Sequence, residues 1–319
     1  MKRRSLLTML GLALPAAGAL AQPIAGGKTI RLIVPLSTGT PSDSITRIIA
    51  PLLSNLLGQS VIVDNKPGAN GVLGVQELLR SPADGTTLLM GSVSPLAINM
   101  ALVKNLPYDP RRDFTAIGTI YSNNHAWAVK PSVPVQSIAE MIAYAKKSPG
   151  KVTAAHSSAL MQMQVAAMEK MAGIEFLKVP YKSTATNITD LIGGTVEVGL
   201  LDMGSALSLS KGGQVRILGV SPLKRNPLAP DWPAVSETVP GYDFASWSAL
   251  VGPAGIPRET VNRLNGALNQ ILRQKDIAEK FALGGSVPMI MTPDEVKTFI
   301  DTEVAKWVRV ARDAKIDPE

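Results

Sequence analysis

The sequence predicts an alternating α/β protein with two lobes. Strand-like apolar runs alternate with amphipathic helical patterns along most of the chain, which is the element order of α/β folds. The chain has 319 residues, more than single hydrophobic cores usually contain, so two lobes are expected. No low-complexity tract or repeat of fixed period indicates another architecture.

The predicted strands are short runs rich in Ile, Leu and Val, and the helices are longer stretches with apolar residues three or four apart. The strands are Ile30–Leu36, Val61–Asp64, Thr87–Met90, Ala126–Lys130, Val152–Ala155, Phe176–Val179, Val196–Leu201, Val215–Val220 and Ser248–Val251. The helices are Ser42–Leu57, Gly71–Arg80, Ile138–Lys147, Gln162–Met171, Ala185–Ile192, Arg258–Leu272, Lys275–Ala282 and Pro293–Lys315.

Two Pro-containing stretches, Leu106–Phe114 and Pro222–Pro233, are predicted to link the lobes. If the chain crosses twice, one lobe is discontinuous. We therefore expect residues 22–122 together with 234–319 to form lobe 1, and residues 123–233 to form lobe 2.

Residues 1–21 are typical of a signal peptide. A basic start that includes Arg3 and Arg4 precedes the apolar run Leu6–Leu14, and small residues follow up to Ala21. This run is too short to span a bilayer, and no later segment offers the ~18 uninterrupted apolar residues that a span requires. We expect an exported, soluble, periplasmic protein cleaved near Ala21. The paired arginines leave the general and the twin-arginine export routes open.

Composition argues against several classes of function. The chain has no cysteine, so disulfides and thiolate chemistry are excluded. Of the net charge of +7, three positive charges belong to Lys2, Arg3 and Arg4 in the leader. The remaining Lys and Arg residues are scattered, and aromatic residues make up only 4% of the chain. A nucleic-acid partner is therefore not expected.

Motifs for catalysis and cofactors are equally absent from the sequence. His125 and His156 are the only histidines and have no neighbours at metal-ligand spacing, so no metal is predicted. The hydrolase motif G-x-S-x-G does not occur, and three Ser-x-x-Lys matches lack their companion motifs. The glycines of Gly68–Gly74 fit neither a dinucleotide fingerprint nor a P-loop. They indicate a tight turn with close helix packing, with an amide-rich anion corner as the alternative. No catalytic residue and no cofactor are predicted.

The segment VPLSTGTPSDSITRII contains the first strand-to-helix junction. Gly39 gives the turn backbone freedom, Pro41 suits a first helical turn, and Ser42 or Asp43 can accept hydrogen bonds from free amides. Junctions of this kind bind anions in open α/β sheets, because free N–H groups and the helix dipole meet there. Simple helix capping is the alternative interpretation.

Further polar loops follow the predicted strands, and each one alone is explained by a cap or a turn. Their recurrence at the carboxyl ends of strands in both lobes instead predicts a cleft lined by hydroxyl and amide donors. The residues concerned are Ser92, Ser94, Ser157, Ser158, Ser183, Thr184 and Asp202.

Ordered segments along the chain carry a family resemblance. They are IRLIVPLSTGTPSDSITRIIAPLL, VIVDNKPGANGVLG, DGTTLLMGS with AIN after it, LPYDPRRDF, VPYKSTATNITDLIGGTVEV, WPAVSETVPGYDFASW, GPAGIP and TPDEV. In this order they resemble the periplasmic solute receptors of the tripartite tricarboxylate transporter family, often called Bug receptors. The resemblance covers the whole chain after the leader.

The resemblance implies a type II-like periplasmic binding protein, in which each lobe is a mixed sheet flanked by helices and the ligand cleft lies between the lobes. It implies a monomeric, non-enzymatic receptor that captures a small carboxylate and delivers it to a membrane permease of the tripartite tricarboxylate type. Asp43 and Asp202 match acidic positions of the family. Because carboxylates repel each other, we expect both to orient amides or waters, or to pair with a ligand ammonium.

Three segments depart from the family pattern and predict an altered ligand preference. Leu36–Thr40 replaces the usual aromatic-Pro-Pro-Gly-Gly, the AHSSALMQMQ segment is shorter and has Gln162 near the family's His, and Lys182–Ala185 lacks the glycine-rich turn. The predicted ligand-binding residues are Leu36, Ser37, Thr38, Gly39, Thr40, Ser42, Asp43, Ser92 and Ser94 in lobe 1, and Ser157, Ser158, Gln162, Ser183, Thr184 and Asp202 in lobe 2.

Two other functions stay open at this level. A sensory receptor that presents its solute to a membrane signalling protein uses the same closed state as a transport receptor. An exported hydrolase on a similar scaffold predicts substrate turnover and a hypersensitive serine.

Overall fold

The polypeptide forms two mixed β-sheets flanked by helices. The computed structural model describes residues 24–318. The predicted fold class is confirmed, whereas the predicted leader, residues 1–21, lies outside the described residues. No helix between residues 24 and 318 is long and apolar enough to cross a bilayer.

The strands of the described residues lie, in chain order, at β1 (Ile30–Val34), β2 (Val61–Asn65), β3 (Thr87–Ser92), β4 (Phe114–Asn123), β5 (His125–Val129), β6 (Thr153–His156), β7 (Leu177–Pro180), β8 (Val198–Asp202), β9 (Arg216–Val220), β10 (Ser246–Pro253) and β11 (Ser286–Pro288). The helices are α1 (Pro41–Leu57), α2 (Val72–Leu79), α3 (Asn99–Leu102), α4 (Ile138–Lys147), α5 (Ala159–Ala172), α6 (Thr184–Gly193), α7 (Met203–Lys211), α8 (Arg258–Leu272), α9 (Lys275–Leu283) and α10 (Pro293–Asp313). A π-helical turn, Ser94–Ile98, connects β3 to α3.

The strand directions bring several carboxyl ends to one edge of each sheet. The first sheet has the order β11-β4-β10-β3-β1-β2, in which β1 is parallel to β2 and β3 while β10 is antiparallel to β3 and β4. The second has the order β7-β6-β8-β5-β9, in which β6 is parallel to β7 and β8 while β5 is antiparallel to β8 and β9. The loops after β1 and β3 therefore lie side by side, as do those after β6, β7 and β8.

Helix α1 shows how local sequence defines an element that positions the site. Thr40 is its N-cap and accepts from the Asp43 backbone N–H, Pro41 fills the first turn, and Gly58 closes the helix in a left-handed conformation. Its apolar face, including Ile45 and Leu53, is buried. The loop before α1 is thereby fixed between a buried strand and a buried helix.

The crossings between the sheets differ from the predicted links. Leu106–Phe114 is not a link, because it leads into β4, which belongs to the first sheet. Thr and Gly interrupt the apolar pattern of β4, and the sequence pattern therefore failed to predict this strand. The chain passes between the sheets at Asn124, the single residue between β4 and β5.

The second predicted link, Pro222–Pro233, precedes the return crossing. Val220 donates its N–H to the Pro233 carbonyl at 2.9 Å, and Phe244 donates to the Ser221 carbonyl at 3.0 Å. Residues 221–244 thus stay against the second sheet, and the chain enters the first sheet at Ser246. The division into lobes of 22–122 with 234–319 and of 123–233 stays a prediction.

An aromatic row joins the two sheets along the return crossing. Trp127 of β5 and Tyr242 are 6.4 Å apart between ring centroids, Tyr242 and Phe244 are 4.7 Å apart, and Phe244 and Trp307 of α10 are 5.3 Å apart. All four side chains are buried in one apolar cluster that includes residues of both sheets. Helix α10 therefore contacts both the first sheet and the crossing segment.

Candidate ligand-binding site

The predicted site residues lie at the carboxyl edges of the two sheets. Leu36–Asp43 follows β1, and Ser92 ends the neighbouring strand β3. In the second sheet, Ser157 follows β6, Ser183 follows β7, and Asp202 ends β8. Because Asn124 alone separates β4 from β5, the two edges are close together at the crossing.

Asp43 organises the loop between β1 and α1. Its carboxylate is only 2% exposed and accepts hydrogen bonds from the Gly39 backbone N–H at 2.9 Å, Arg47 Nε at 3.0 Å and Asn65 Nδ2 at 3.0 Å. Asn65 also donates to the Leu36 carbonyl at 3.1 Å and accepts from Arg47 at 2.9 Å. Arg47 and Asn65 are positioning residues that the sequence analysis missed. The sequence did offer a signal for Asn65, because this polar residue lies at the end of a strand, as the predicted site residues do.

The pKa of Asp43 reflects these contacts. Burial alone would raise it, but the hydrogen bonds from Gly39, Arg47 and Asn65, together with the positive charge of Arg47, lower the pKa below its ordinary value. The carboxylate is therefore ionised at neutral pH. Its charge is compensated inside the loop, so Asp43 shapes the loop rather than binding a ligand ammonium.

The loop leaves several backbone donors without a protein partner. In the described part of the chain, the N–H groups of Ser37, Thr38 and Ser42 make no hydrogen bond to protein atoms, while that of Gly39 is used by Asp43. Gly39 has a φ of +84°, and a Cβ at this position would have no heavy atom within 4 Å. The loop therefore presents free N–H groups beside open space, close to the start of α1.

The Ser42 hydroxyl points into the protein. Its Oγ lies 2.6 Å from the Tyr121 hydroxyl of β4, and both side chains are buried. Tyr121 was not predicted as a site residue, because β4 itself was not predicted. This contact ties the start of α1 to the strand that leads into the crossing.

The hydroxyls of Ser92 and Ser94, unlike that of Ser42, are free. Both are half-buried at the end of β3, and neither hydroxyl has a hydrogen-bond partner among residues 24–318. Ser92 lies opposite Ser248 of β10, whose own hydroxyl donates to the Gly91 carbonyl at 3.0 Å. A π-helical turn begins at Ser94, and such turns are frequent at functional sites.

The second lobe's loops are joined by a hydroxyl contact. Ser157 Oγ and Thr184 Oγ1 are 3.1 Å apart. Ser158 caps α5 by accepting from the Met161 N–H at 3.3 Å, and Ser183 caps α6 by accepting from the Thr186 N–H at 3.3 Å. The first turns of α5 and α6 are therefore adjacent, each with free N–H groups directed beyond the helix end.

Asp202 and Gln162 have different surroundings. Asp202 caps α7, since its carboxylate accepts from the Ser205 N–H at 2.9 Å and from the Ser205 hydroxyl at 2.8 Å. Gln162 lies in the first turn of α5 and lines a cavity of about 240 Å³ together with Asn70 and Asp317. The predicted helix start at Gln162 is wrong, because Ser158 is the N-cap and α5 begins at Ala159, three residues before Gln162.

Both histidines are held in a neutral form. Burial lowers the pKa of His125 despite its contacts with Gln164 and Asp202, and burial followed by the charge of Lys178 lowers the pKa of His156. His125 Nδ1 is 2.9 Å from Gln164 Oε1, and Gln164 donates to the Phe244 carbonyl at 2.6 Å. His125 thus links the two crossing segments. Among residues 24–318 no group of three or more His, Asp or Glu side chains could hold a metal.

Three glycines, Gly204 on one side and Gly284 and Gly285 on the other, bring the two lobes into contact beside the cleft. A Cβ on Gly204, in the first turn of α7, would lie 3.1 Å from the Gly284 carbonyl oxygen, and a Cβ on Gly285 would lie 2.3 Å from the Gly204 backbone nitrogen. The backbone at the start of α7 thus contacts the backbone of the turn after α9 directly, with no side chain between them. On the other flank, α5 contacts the π-helical turn after β3.

Comparison with known proteins identifies the family. The model of the tripartite tricarboxylate transporter family receptor matches residues 45–316. Protein BugT of Bordetella pertussis is 30% identical over 98% of this chain and 98% of its own length. The chain belongs to this receptor family. The family resemblance of the sequence segments is thus confirmed, and the protein is a periplasmic-type solute-binding receptor rather than an enzyme.

Solved structures agree with this assignment. An R. palustris protein solved with adipate superimposes with a TM-score of 0.80 at 31% identity, covering 92% of this chain and 99% of that one. The periplasmic binding protein BugD superimposes with a TM-score of 0.76 at 25% identity, with the same coverage. The two sheets of the receptor therefore have the arrangement of periplasmic binding proteins.

Proposed function

We propose that the receptor captures a small organic acid between its two lobes in the periplasm and delivers it to a membrane permease of the tripartite tricarboxylate type. The observation that carries this proposal is the set of partner-free N–H and hydroxyl donors at the carboxyl edges of both sheets. The R. palustris relative solved with adipate supports a carboxylate as the ligand.

The electrostatics of the site favour an anion over an ammonium. Both acidic residues at the edges have their oxygens engaged, Asp43 by Gly39, Arg47 and Asn65, and Asp202 by Ser205. The beginnings of α1, α5 and α6 add free N–H groups and positive dipole ends, which stabilise negative charge. A carboxylate thus finds donors on both sides, whereas a cation finds no free carboxylate at these positions.

The predicted site residues divide into two groups by their contacts. We assign direct ligand contacts to the free donors, and positioning to residues that cap or shape a loop. The direct contacts are the free N–H groups of Ser37, Thr38 and Ser42, the free hydroxyls of Ser92 and Ser94, and the paired hydroxyls of Ser157 and Thr184, with Leu36 as an apolar wall and Gln162 at one flank. The positioning residues are Gly39, Thr40, Asp43, Ser158, Ser183 and Asp202.

Ligand capture would close the two lobes, because donors from both edges converge only when the cleft narrows. The proposed lobes are residues 22–122 with 234–319 and residues 123–233. The mature receptor would begin near Gln22, after cleavage near Ala21, and act as a monomer. Its permease partner would recognise the closed form.

Thermal-shift measurements test the carboxylate assignment. Mature protein, refolded to remove any bound solute, is heated with adipate, succinate, malate, citrate, hexanoate, amino acids and neutral vitamins. At a hundred times its dissociation constant a ligand adds about 2.7 kcal/mol to the free energy of unfolding. This corresponds to a rise of about 4 °C in Tm for a protein of this size. A response confined to acids supports the proposal, and a response only to neutral or cationic solutes overturns it.

A further inference from the structure

Asn124 has no hydrogen-bond partner for its side chain. It is 5% exposed, and its Oδ1 is fully buried without a partner. Its Nδ2 makes no hydrogen bond within residues 24–318 either, but unlike Oδ1 it is not among the fully buried unpartnered atoms. The carboxamide is thus a nearly buried polar group whose donor end reaches solvent.

This situation is unusual even among the buried asparagines of the chain. Asn187 and Asn269 also have an unpartnered Oδ1, but each donates through Nδ2, to the Leu200 carbonyl at 3.2 Å and to Asn265 Oδ1 at 3.0 Å. Asn124 differs from both in that its Nδ2 donor is also without a protein partner, at the solvent-facing end of a residue that is otherwise buried. A ligand acceptor in the cleft would give this donor a partner.

The position of Asn124 places it at the cleft. Asn123, before it, lies opposite Ser246 at the end of the first sheet, and His125, after it, lies opposite Asp202 at the carboxyl end of β8. Successive residues of an extended chain point to opposite faces. The His125 ring contacts Gln164 of α5, whereas Ala126, on the other face of β5, packs in the same apolar cluster as Met203 of α7. Alternation therefore places Asn124 on the face of α7.

Strand β4 connects this position to the loop before α1. Tyr121 contacts Ser42 at the start of α1, and Asn124 comes three residues later in the chain. At about 3.3 Å per extended residue this separation is roughly 10 Å. The crossing at Asn124 is thus within the length of a short-chain diacid that is held at the start of α1.

We propose that Asn124 determines ligand specificity by donating from Nδ2 to the second carboxylate of a dicarboxylate whose first carboxylate is held at the start of α1. This inference rests on the proposed function of the receptor. It makes the crossing residue a contact that separates diacids from monoacids of equal chain length.

The test compares two substitutions of Asn124 with a matched control. Asn124→Leu removes the donor at similar volume, and Asn124→Asp replaces the donor by an acceptor of nearly the same shape. Asn269→Leu removes a carboxamide that also has a buried unpartnered Oδ1 but lies on α8, against Met291. Calorimetric titrations use two pairs of ligands, adipate with hexanoate and succinate with butyrate.

We expect Asn124→Leu to weaken binding of the preferred diacid at least tenfold and binding of its monoacid less than twofold. Asn124→Asp should weaken diacid binding at least as much, because it brings two carboxylates together. Without ligand, Asn124→Leu should melt no lower than the wild type, since it removes an unpartnered polar group. Asn269→Leu should melt lower and bind with unchanged affinity.

The possible failures are distinguishable. If the wild type binds a diacid and Asn124→Leu binds it equally well, or loses diacid and monoacid to the same extent, the role of Asn124 is refuted while the proposed function stands. If the wild type binds no acid at all, the proposed function fails and this inference fails with it.

Discussion

At the scale of single residues, Gly39 and Asp43 determine the shape of the loop before α1. Gly39 adopts a backbone conformation that few L-residues adopt, and its N–H is held by the Asp43 carboxylate. The sequence predicts the structural role of each residue, Gly39 as a turn glycine and Asp43 as an acidic residue at the start of a helix. Their mutual hydrogen bond was not, since it depends on the left-handed φ of Gly39.

Gly39→Val should abolish acid binding, because the new side chain occupies the open space beside the free N–H groups of Thr38 and Ser42. The left-handed backbone should also lower the free energy of unfolding by about 1–2 kcal/mol. The matched control is Gly58→Val at the other end of α1, where φ is +66° and a Cβ also meets nothing within 4 Å. The control should lose similar stability and keep its affinity in a calorimetric titration. Equal affinity in both variants would remove the loop from the site.

Asp43→Asn should weaken ligand binding and lower the free energy of unfolding at neutral pH by about 1–3 kcal/mol, because a neutral amide replaces a charged acceptor of three hydrogen bonds. The pKa of Asp43 is lowered in the folded state. Its stabilising contribution is therefore complete above the unfolded-state pKa, about 3.9, and is lost as the pH falls through the folded-state value. The Tm difference between wild type and variant should thus be constant near neutrality and shrink below about pH 4.

The control for this prediction is Asp276→Asn on α9. Asp276 pairs with Lys280 at 3.1 Å in an exposed position, so its substitution should change stability by less than about 1 kcal/mol. A Tm difference for Asp43→Asn that persists unchanged into acid would show that the carboxylate charge does not matter for the loop.

At the scale of elements, the sequence predicts strands and helices best where one local pattern dominates. Helix α1 begins one residue before its prediction and ends where predicted, because Thr40, Pro41 and Gly58 mark its ends. The sequence pattern did not predict helix α7, because its Gly- and Ser-containing sequence has a weak apolar period. Its only local signal is Asp202, the N-cap. Such helices are stabilised mainly by packing their apolar side chains against the sheet, and this tertiary packing leaves no pattern in the local sequence.

Strand β4 shows the same limit. It pairs with β10 on one side and β11 on the other, so the burial of its Thr119 and Gly118 depends on partners more than a hundred residues away in the chain. Gly118 also accommodates Leu268 of α8, since a Cβ there would lie 2.9 Å from a Leu268 methyl carbon. Missing β4 led directly to the wrong first link, Leu106–Phe114, and left Tyr121 and Asn124 out of the predicted residues, although the predicted lobe boundary at 122/123 lies next to the crossing.

Helix α10 contributes a buried carboxylate that should be needed for stability. Glu303 accepts from Trp247 Nε1 at 2.8 Å and from Trp307 Nε1 at 3.2 Å, and it pairs with Lys306, which donates to the Asp243 carbonyl at 3.2 Å. Glu303→Ala should lower the free energy of unfolding by about 3–5 kcal/mol, because it leaves a mostly buried ammonium and two indole donors without their acceptor.

Chemical denaturation of Glu303→Ala measures this effect, with Lys297→Ala on the same helix as the control. Lys297 forms an exposed pair with Asp301, so its loss should cost about 0.5 kcal/mol or less. If Glu303→Ala is as stable as the control, the Glu303 carboxylate does not stabilise the packing of α10 against the return crossing.

At the scale of the whole molecule, sequence patterns predicted a cleft between two lobes and loops at its edges, but not how the lobes meet. The loop residues were predictable because polar residues that follow an apolar strand can be recognised in the sequence itself. The contact of Gly204 with Gly284 and Gly285 was not, because it depends on the relative placement of α7 and the turn after α9, which are far apart in the chain. Close backbone approach of this kind requires residues without a Cβ.

This contact should limit how far the lobes close around a ligand. A Cβ on Gly204 would lie 3.1 Å from the Gly284 carbonyl oxygen and 3.2 Å from its carbonyl carbon, so Gly204→Ala has to push the two backbones apart by a few tenths of an ångström. Gly204 lies in the first turn of α7, and its φ is not positive, so alanine itself is compatible with the helix. We therefore expect Gly204→Ala to fold with unchanged or slightly raised stability and to bind the preferred acid several-fold more weakly.

Gly266→Ala is the matched control, because Gly266 lies inside α8 and a Cβ there meets nothing within 4 Å. It should raise the free energy of unfolding by about 0.5–1 kcal/mol without changing affinity. Small-angle scattering should show ligand-induced compaction in the wild type and the control, and less compaction in Gly204→Ala. If all three bind equally and compact equally, closure does not use this contact, and the approach of α7 to the turn after α9 is a fixed feature of the hinge.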